Sequence, residues 1–414
     1  MVEKVRPSKP MLRFLALALV VAVAIGACQT TYQSSSLTSP KPITAPSSPL
    51  ETSPPPETQA DLDKQTTTGP VRFKVEVVAT GLNTPWDIES IPDGKMLILE
   101  RSGRIQVIRN QQLAPYPVDL PDLAVQGQGG LMDAAPHPNY QQNRWVYISY
   151  TAATQGRMHT RVARYRDAGT GLVLDRVIFD ADPMDSTKHF GGRIGFGGDR
   201  KLYITLGERG NWDLAQDLGN VNGKVLRLND DGTIPPDNPF SNRTNARREI
   251  FSYGNRNIQG MAFQPGSNLI WVAEHGPSGN DRRGGGDEIN IIDPGKNYGW
   301  PVIHHDLTAP GMESPLVQFT PATAPGGAAF YTGDRLPQWR GNLFVANLRG
   351  QSLQRFVING RTISRVETLL NGDYGRLRAV ATGPDGNLYV STSNGDGYGA
   401  GNPGEDRILR ISPQ

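Results

Sequence analysis

The chain of 414 residues holds a single cysteine, Cys28, so no internal disulfide can form. The Cys-x-x-Cys-His attachment signature of a covalent haem is likewise missing. Nor is there an excess of either charge: 42 Lys and Arg against 40 Asp and Glu leave a net +2. That balance argues against a polyanionic partner such as nucleic acid. Long amphipathic helical stripes are few. The apolar run from Phe14 to Ala27 has about the length of a secretory h-region and is short for a membrane span. Glycine (47) and proline (33), by contrast, are abundant, which favours many short strands joined by turns.

Lys4, Arg6, Lys9 and Arg13 form a basic region ahead of the apolar run, which ends in Ile25-Gly26-Ala27-Cys28. This ending resembles a bacterial lipoprotein processing site. Residues 1–28 are therefore expected to be a lipoprotein signal peptide ending at a lipidated Cys28. The protein would be exported and lipid-anchored to a bacterial membrane, its domain facing the periplasm or the cell exterior. An incidental cysteine and an uncleaved leader helix are the alternatives. Residues 29–70 are rich in Ser, Thr, Pro and Gln and read as a disordered tether. Within it, Ser53-Pro-Pro-Pro-Glu57 is expected to join neither helix nor ladder.

From Val71 onward one pattern recurs: an apolar strand, a turn bearing Gly, then a strand rich in Leu, Tyr, Ile and Val. The copies begin near Trp86, Leu131, Arg193, Gly260, Gly327 and Ala379, about 45 to 67 residues apart. One hairpin cannot bury both of its faces, but six packed radially can, leaving only short edges. Residues 71–414 are thus expected to form an all-β, six-bladed β-propeller, with a pair of β-sandwiches as the alternative.

Loops at one end of a propeller channel converge, so distant segments must be considered together. Gly127-Gln128-Gly129-Gly130 precedes the inner strand of blade two, Lys188-His189 that of blade three, and Arg256-Asn257 that of blade four. Asn347-Leu348-Arg349 follows a strand in blade five, and Arg376-Leu377-Arg378 opens blade six. An adjacent guanidinium and amide, as in Arg256-Asn257, can grip a planar, oxygen-rich anion. The turn at Gly276-Pro277 offers backbone carbonyls to a hard cation. Arg376 and Arg378 alternate along a strand and so share a face, which calls for an anion between or beside them.

These segments, together with Gly223-Lys-Val-Leu-Arg-Leu-Asn229, Asp287-Glu288-Ile-Asn290 and Asn297-Tyr-Gly-Trp-Pro301, resemble the soluble pyrroloquinoline-quinone (PQQ) dependent sugar dehydrogenases, aldose sugar dehydrogenase branch. The resemblance covers nearly all of residues 75–412. It implies PQQ and calcium as cofactors, an aldose as substrate, and an external electron acceptor. His189 matches the catalytic base. Gln128, Arg256, Asn257, Arg349, Arg376 and Arg378 match quinone contacts, with Asn347, Leu348 and Leu377 beside them. Gly276 and Pro277 match the turn whose carbonyls bind the calcium that touches the quinone. Glu288 and Tyr298 match a second calcium site, Tyr298 through its carbonyl.

Some positions depart from the family pattern. Arg349 stands where glucose-specific relatives carry Lys, and Ala309-Pro310 lies where some relatives have a tyrosine on the quinone. The loop Asp281-Arg-Arg-Gly-Gly-Gly286 resembles an insertion beside the calcium turn. Arg193 is expected to pair with a carboxylate and His137 to serve in a turn. The rival functions are a calcium lactonase-type hydrolase, which would need carboxylates and Asn converging on one metal, and a non-catalytic propeller that binds a partner.

Overall fold

The computed structural model describes residues 57–58, 71–279 and 282–414, all within the unit Pro54–Gln414. The segment expected to be a signal peptide, Cys28 and most of the expected tether lie outside the described residues. Among the described residues, no helix is long and apolar enough to cross a membrane.

Six antiparallel sheets follow one another along the chain. Blade one comprises Pro85–Ser90, Met96–Glu100, Ile105–Arg109 and Gln112–Pro115. Blade two comprises Leu131–Pro136, Trp145–Thr154, Arg157–Asp167 and Leu172–Asp180. Blade three comprises Ile194–Phe196, Leu202–Leu206, Lys224–Leu228 and Ile250–Tyr253. Blade four comprises Ile258–Phe263, Ile270–Glu274, Asp287–Ile292 and Val317–Phe319. Blade five comprises Pro325–Phe330, Leu343–Asn347, Ser352–Asn359 and Thr362–Leu369. Blade six takes three strands from the C-terminus, Leu377–Thr382, Leu388–Thr392 and Asp406–Pro413, and its outermost from the N-terminus, Phe73–Leu82. The register from Phe73↔Pro413 to Leu82↔Asp406 closes the ring. The fold is a six-bladed β-propeller.

The recurrent turn is visible as one hydrogen-bond geometry. Ile91 N–H donates to the Lys95 carbonyl (2.8 Å), Gly197 to Lys201 (3.0 Å) and Gly383 to Asn387 (2.8 Å). Each closes the hairpin between the first two strands of its blade. First strands of successive blades touch one another around a closed ring. The core is divided into wedges, one apolar cluster at each blade interface. Leu97, Leu99, Leu131 and Ile148 fill the first; Trp271, Ile289, Phe330 and Val345 fill that between blades four and five. Both faces of every blade are covered because every blade has two neighbours, which a lone hairpin lacks.

One expectation needs correction. Glu57–Thr58 adds a short parallel strand beside Val317–Gln318, at the edge of blade four. The three prolines end at Pro56, and Glu57 carries an N–H that a ladder can use.

Lys95, fully buried in blade one, is neutralised across the blade interface by Asp167, which also accepts from Tyr116 and Tyr140. Burial would raise the Asp167 carboxyl, but these donors outweigh it and hold it at about 2. Asp167→Asn is expected to lower stability by about 1.5–3 kcal/mol at neutral pH, because the buried ammonium loses one of its two carboxylates and keeps only the part-exposed Asp93 (2.7 Å). The folded carboxyl lies below its unfolded value, so its contribution is full above the usual carboxylate range. It is lost as pH falls through about 2. Urea melts should show parent and variant converging over that interval; a gap that stays constant down to pH 2 would refute the assignment.

Candidate active site

All six inner strands run the same way along the channel, so their N-terminal ends lie at one mouth. The second strand of each blade is antiparallel to the first, so the loops that follow it return to that mouth. Two sets of loops therefore build one site. Gln128, His189, Asn257 and Arg376 come from the first set. Arg101, Glu208, His275–Ser278, Leu348–Arg349 and Asp396–Tyr398 come from the second.

A cavity of 370 Å³ occupies this mouth, within the size range of small-molecule sites. Gln128, Asn257, Gly276, Pro277, Leu348, Arg349, Arg376 and Arg378 are on its wall, as are Trp86, Arg101 and Tyr398. Arg378 is 5% exposed and burial draws its pKa down to about 9. Its Nε donates to Ser393 Oγ (3.0 Å) and its guanidinium lies 3.8 Å from the Trp86 ring centroid, while Nη1 has no hydrogen-bonding partner among the described residues. Arg376 donates through Nη2 to Asp396 Oδ2 (2.8 Å), which also lies 3.4 Å from Arg378 Nη2. Burial would raise the Asp396 carboxyl, yet the two arginines outweigh it and hold it below the usual range. The arginine pair is thus half-neutralised from within.

Leu377 points the other way, into the apolar wedge between blades five and six, as strand alternation requires. Its side chain is not on the cavity wall, nor is that of Asn347, which is fully buried beside Ser352.

His189 sits immediately behind the wall. Its backbone N–H donates to Gln128 Oε1 (2.8 Å), and its φ of 53° is left-handed, a conformation that side chains other than Gly seldom adopt. Nδ1–H donates to Glu208 Oε2 (2.6 Å), and Nε2 has no partner among the described residues. Glu208 is fully buried. A Cβ on Gly207 would collide with the His189 carbonyl, so the close approach of these loops requires glycine there. The result is an imidazole held in one tautomer by a carboxylate.

A much smaller cavity of 10 Å³ shares His275, Gly276 and Pro277 with the first and is also lined by Arg256, Glu274, Glu288 and Tyr298. Glu274 and Glu288 face each other across the strand pair. Burial pushes Glu274 up to about 7; burial and the Glu274 charge raise Glu288 well above the usual range. Two adjacent buried carboxylates call for a cation. Tyr298 spends its hydroxyl on the Ile291 carbonyl (2.6 Å), so only its backbone faces the cavity's needs. The Gly276 N–H donates to Asp287 Oδ1 (2.8 Å), and Asp287 Oδ2 accepts from Thr323 and Ala324, stitching the turn to blade five. The Pro277 carbonyl already accepts from Gly285 (3.1 Å), leaving one lone pair. Arg256 donates to the His275 carbonyl (3.3 Å) and Ser278 Oγ (3.0 Å), bracing the same turn. Among the described residues no three His, Cys, Asp or Glu side chains gather as a metal ligand set.

Arg193 bridges Asp87 (2.7 Å) and Asp133 (3.2 Å) within the channel, a structural role. Sequence reasoning missed Arg101, Glu208, Asp396 and Tyr398. Their shared signal is position: each follows the second strand of a blade.

A propeller with a cationic small-molecule cavity and a carboxylate-held imidazole at one channel mouth is the architecture of an enzyme, with a site suited to an anionic ligand. Residues 82–400 match the family model described as glucose/sorbosone dehydrogenase. The chain is 37% identical to aldose sugar dehydrogenase YliI of Escherichia coli over 364 residues, 83% of this chain and 94% of that protein. The crystal structure of the apo-form of the soluble E. coli aldose sugar dehydrogenase superposes with a TM-score of 0.74, covering 83% of this chain and 100% of that one. The PQQ-bound aldose sugar dehydrogenase of Streptomyces coelicolor is 33% identical, with a TM-score of 0.70 over 83% of this chain and 99% of that one. The chain belongs to the glucose/sorbosone dehydrogenase family, a family of oxidoreductases.

Proposed function

We propose that this protein oxidises the anomeric hydroxyl of aldose sugars to the lactone, with PQQ and calcium as cofactors. The observation that carries the reading is Arg378: a buried guanidinium on the cavity wall with one donor unmatched, beside Arg376 and Arg349. A planar tricarboxylate fits that set, since guanidinium groups bind carboxylates bidentately and remain charged. Gln128, Asn257, Arg349, Arg376 and Arg378 would hold it, with Leu348 against its face. The carbonyls of Gly276 and Pro277 would hold a calcium ion beside it. Glu288, with Glu274 opposite and the Tyr298 carbonyl, would hold a second. The family membership and the PQQ-bound relative support this assignment.

The quinone, when bound, supplies the two-electron acceptor for the hydride leaving the anomeric carbon. His189 Nε2 takes the proton of the anomeric hydroxyl. Glu208 holds the ring and stabilises the imidazolium that results. Gln128 ties the His189 backbone to the cavity wall, which fixes the base relative to the ligand.

The test is reconstitution. Cation-stripped protein is expected to reduce a dye with an aldose only when PQQ and calcium are both restored, and a panel of aldoses would rank the substrates. Dye reduction without added PQQ, or none with any aldose when both are present, would sink the reading.

A further inference from the structure

We propose that a second cavity beside the first admits the electron acceptor, and that this acceptor is a small planar anion of the quinone class. The proposal rests on the sugar-dehydrogenase reading above. The cavity measures 750 Å³ and shares Arg349, Arg376 and Tyr398 with the cofactor cavity. Tyr398 is 71% exposed, yet it is not loose: its backbone N–H donates to Asp396 Oδ1 (2.9 Å) and its ring lies 5.9 Å from the Arg376 guanidinium. An aromatic ring held in water on the lip between two cavities is a stacking surface for another planar ring.

Charge then selects among planar rings. Arg349, Arg376 and Arg407 share the wall with two carboxylates, Asp373 and Glu405. Arg376 is committed to Asp396. Arg349 and Arg407 are exposed, and neither has a carboxylate within ion-pair distance among the described residues. Cations placed so at a rim draw in an anion and set its affinity through its charge.

The chemistry requires such a visitor. Oxidation of the anomeric centre removes two electrons and two protons from the sugar. Both must leave before a second turnover. A quinone takes two electrons and two protons, its two C=O groups becoming C–OH, and the oxidised cofactor is restored without a further co-reactant. Arg349, Arg376 and Tyr398 stand on both walls, so an acceptor in this cavity would lie next to the cofactor cavity.

Two measurements test this. Anthraquinone-2-sulfonate, a planar anion, is titrated into the protein in the presence of saturating PQQ, which closes the first cavity to it, and followed by calorimetry. Saturable binding is expected, weakened about tenfold by Arg407→Glu and by Tyr398→Ala. Next, loaded protein is reduced by an aldose without oxygen and mixed with 2,6-dichlorophenolindophenol, an anionic quinone-imine dye. Arg407, on the wall of the second cavity alone, is expected to affect only this stage. Arg407→Glu should raise the KM for the dye about tenfold and leave the sugar-driven reduction within about twofold. Equal anthraquinone affinity in parent and both variants overturns the proposal, as does a rise in the KM for sugar in place of the dye. If no aldose reduces the parent, the sugar-dehydrogenase reading fails instead, and the anthraquinone titration still decides the acceptor site.

Discussion

Replacing His189 with alanine is expected to lower turnover by about two to four orders of magnitude while cofactor affinity stays nearly unchanged. The magnitude is that of removing a positioned general base. The separation of the two effects follows from the geometry. His189 stands behind the cavity wall, tied to Gln128 through its backbone rather than its ring, so the truncated side chain leaves the Gln128 contact in place. Glu208→Gln sharpens the test. Its amide can occupy the same place but carries no charge to stabilise the imidazolium, so a smaller loss, with a shifted pH–rate profile, is expected. Unchanged turnover in His189→Ala would remove this residue from the mechanism. A large loss of PQQ affinity would make it a cofactor contact instead.

Arg378→Ala is expected to weaken PQQ binding by about 1.5–3 kcal/mol, the range for a hydrogen bond to a charged group, or roughly 10- to 150-fold. Arg378 differs from the exposed Arg349 in being buried, stacked on Trp86 and left with Nη1 unmatched, so a carboxylate placed there gains most from it. Its removal leaves Asp396 paired with Arg376, so the fold should survive; circular dichroism would check that. Arg378→Lys restores the charge but not the two-pronged geometry, and should recover only part of the affinity. Titration of the cofactor-free protein with PQQ gives the result directly. Equal affinity in parent and Arg378→Ala would mean the buried arginine serves Asp396 and Ser393 alone.

Much of the architecture was legible because its signals are local. A turn such as Ile91–Lys95 or Gly383–Asn387 carries its own Gly and Asp, and the strands beside it carry their β-branched and aromatic residues. Six such hairpins leave few ways to bury every face. The alternation that puts Arg376 and Arg378 on one side places Leu377 on the other, in the apolar wedge and off the cavity wall. The carboxylates were harder to read. Asp396 lies in a glycine-rich stretch like many surface turns, and Glu208 follows a strand with nothing near it in sequence to mark it. Each acquires meaning only through a partner from elsewhere: Arg376 and Arg378, 20 and 18 residues from Asp396, and His189, 19 residues from Glu208.

By itself, then, the sequence determined the unit of construction, the number of units and the residue types that would meet an anion at the channel mouth. These follow from period, turn chemistry and charge, which are properties of short segments. Tertiary structure alone decided that the N-terminal strand Phe73–Leu82 closes the last blade and that the loops after the second strands join those before the first. It also decided that Glu274 and Glu288 lie face to face in one small cavity and that Tyr398 stands on the lip of two larger ones. Those facts depend on ring closure. Closure brings together residues whose separation along the chain carries no trace of their distance in space.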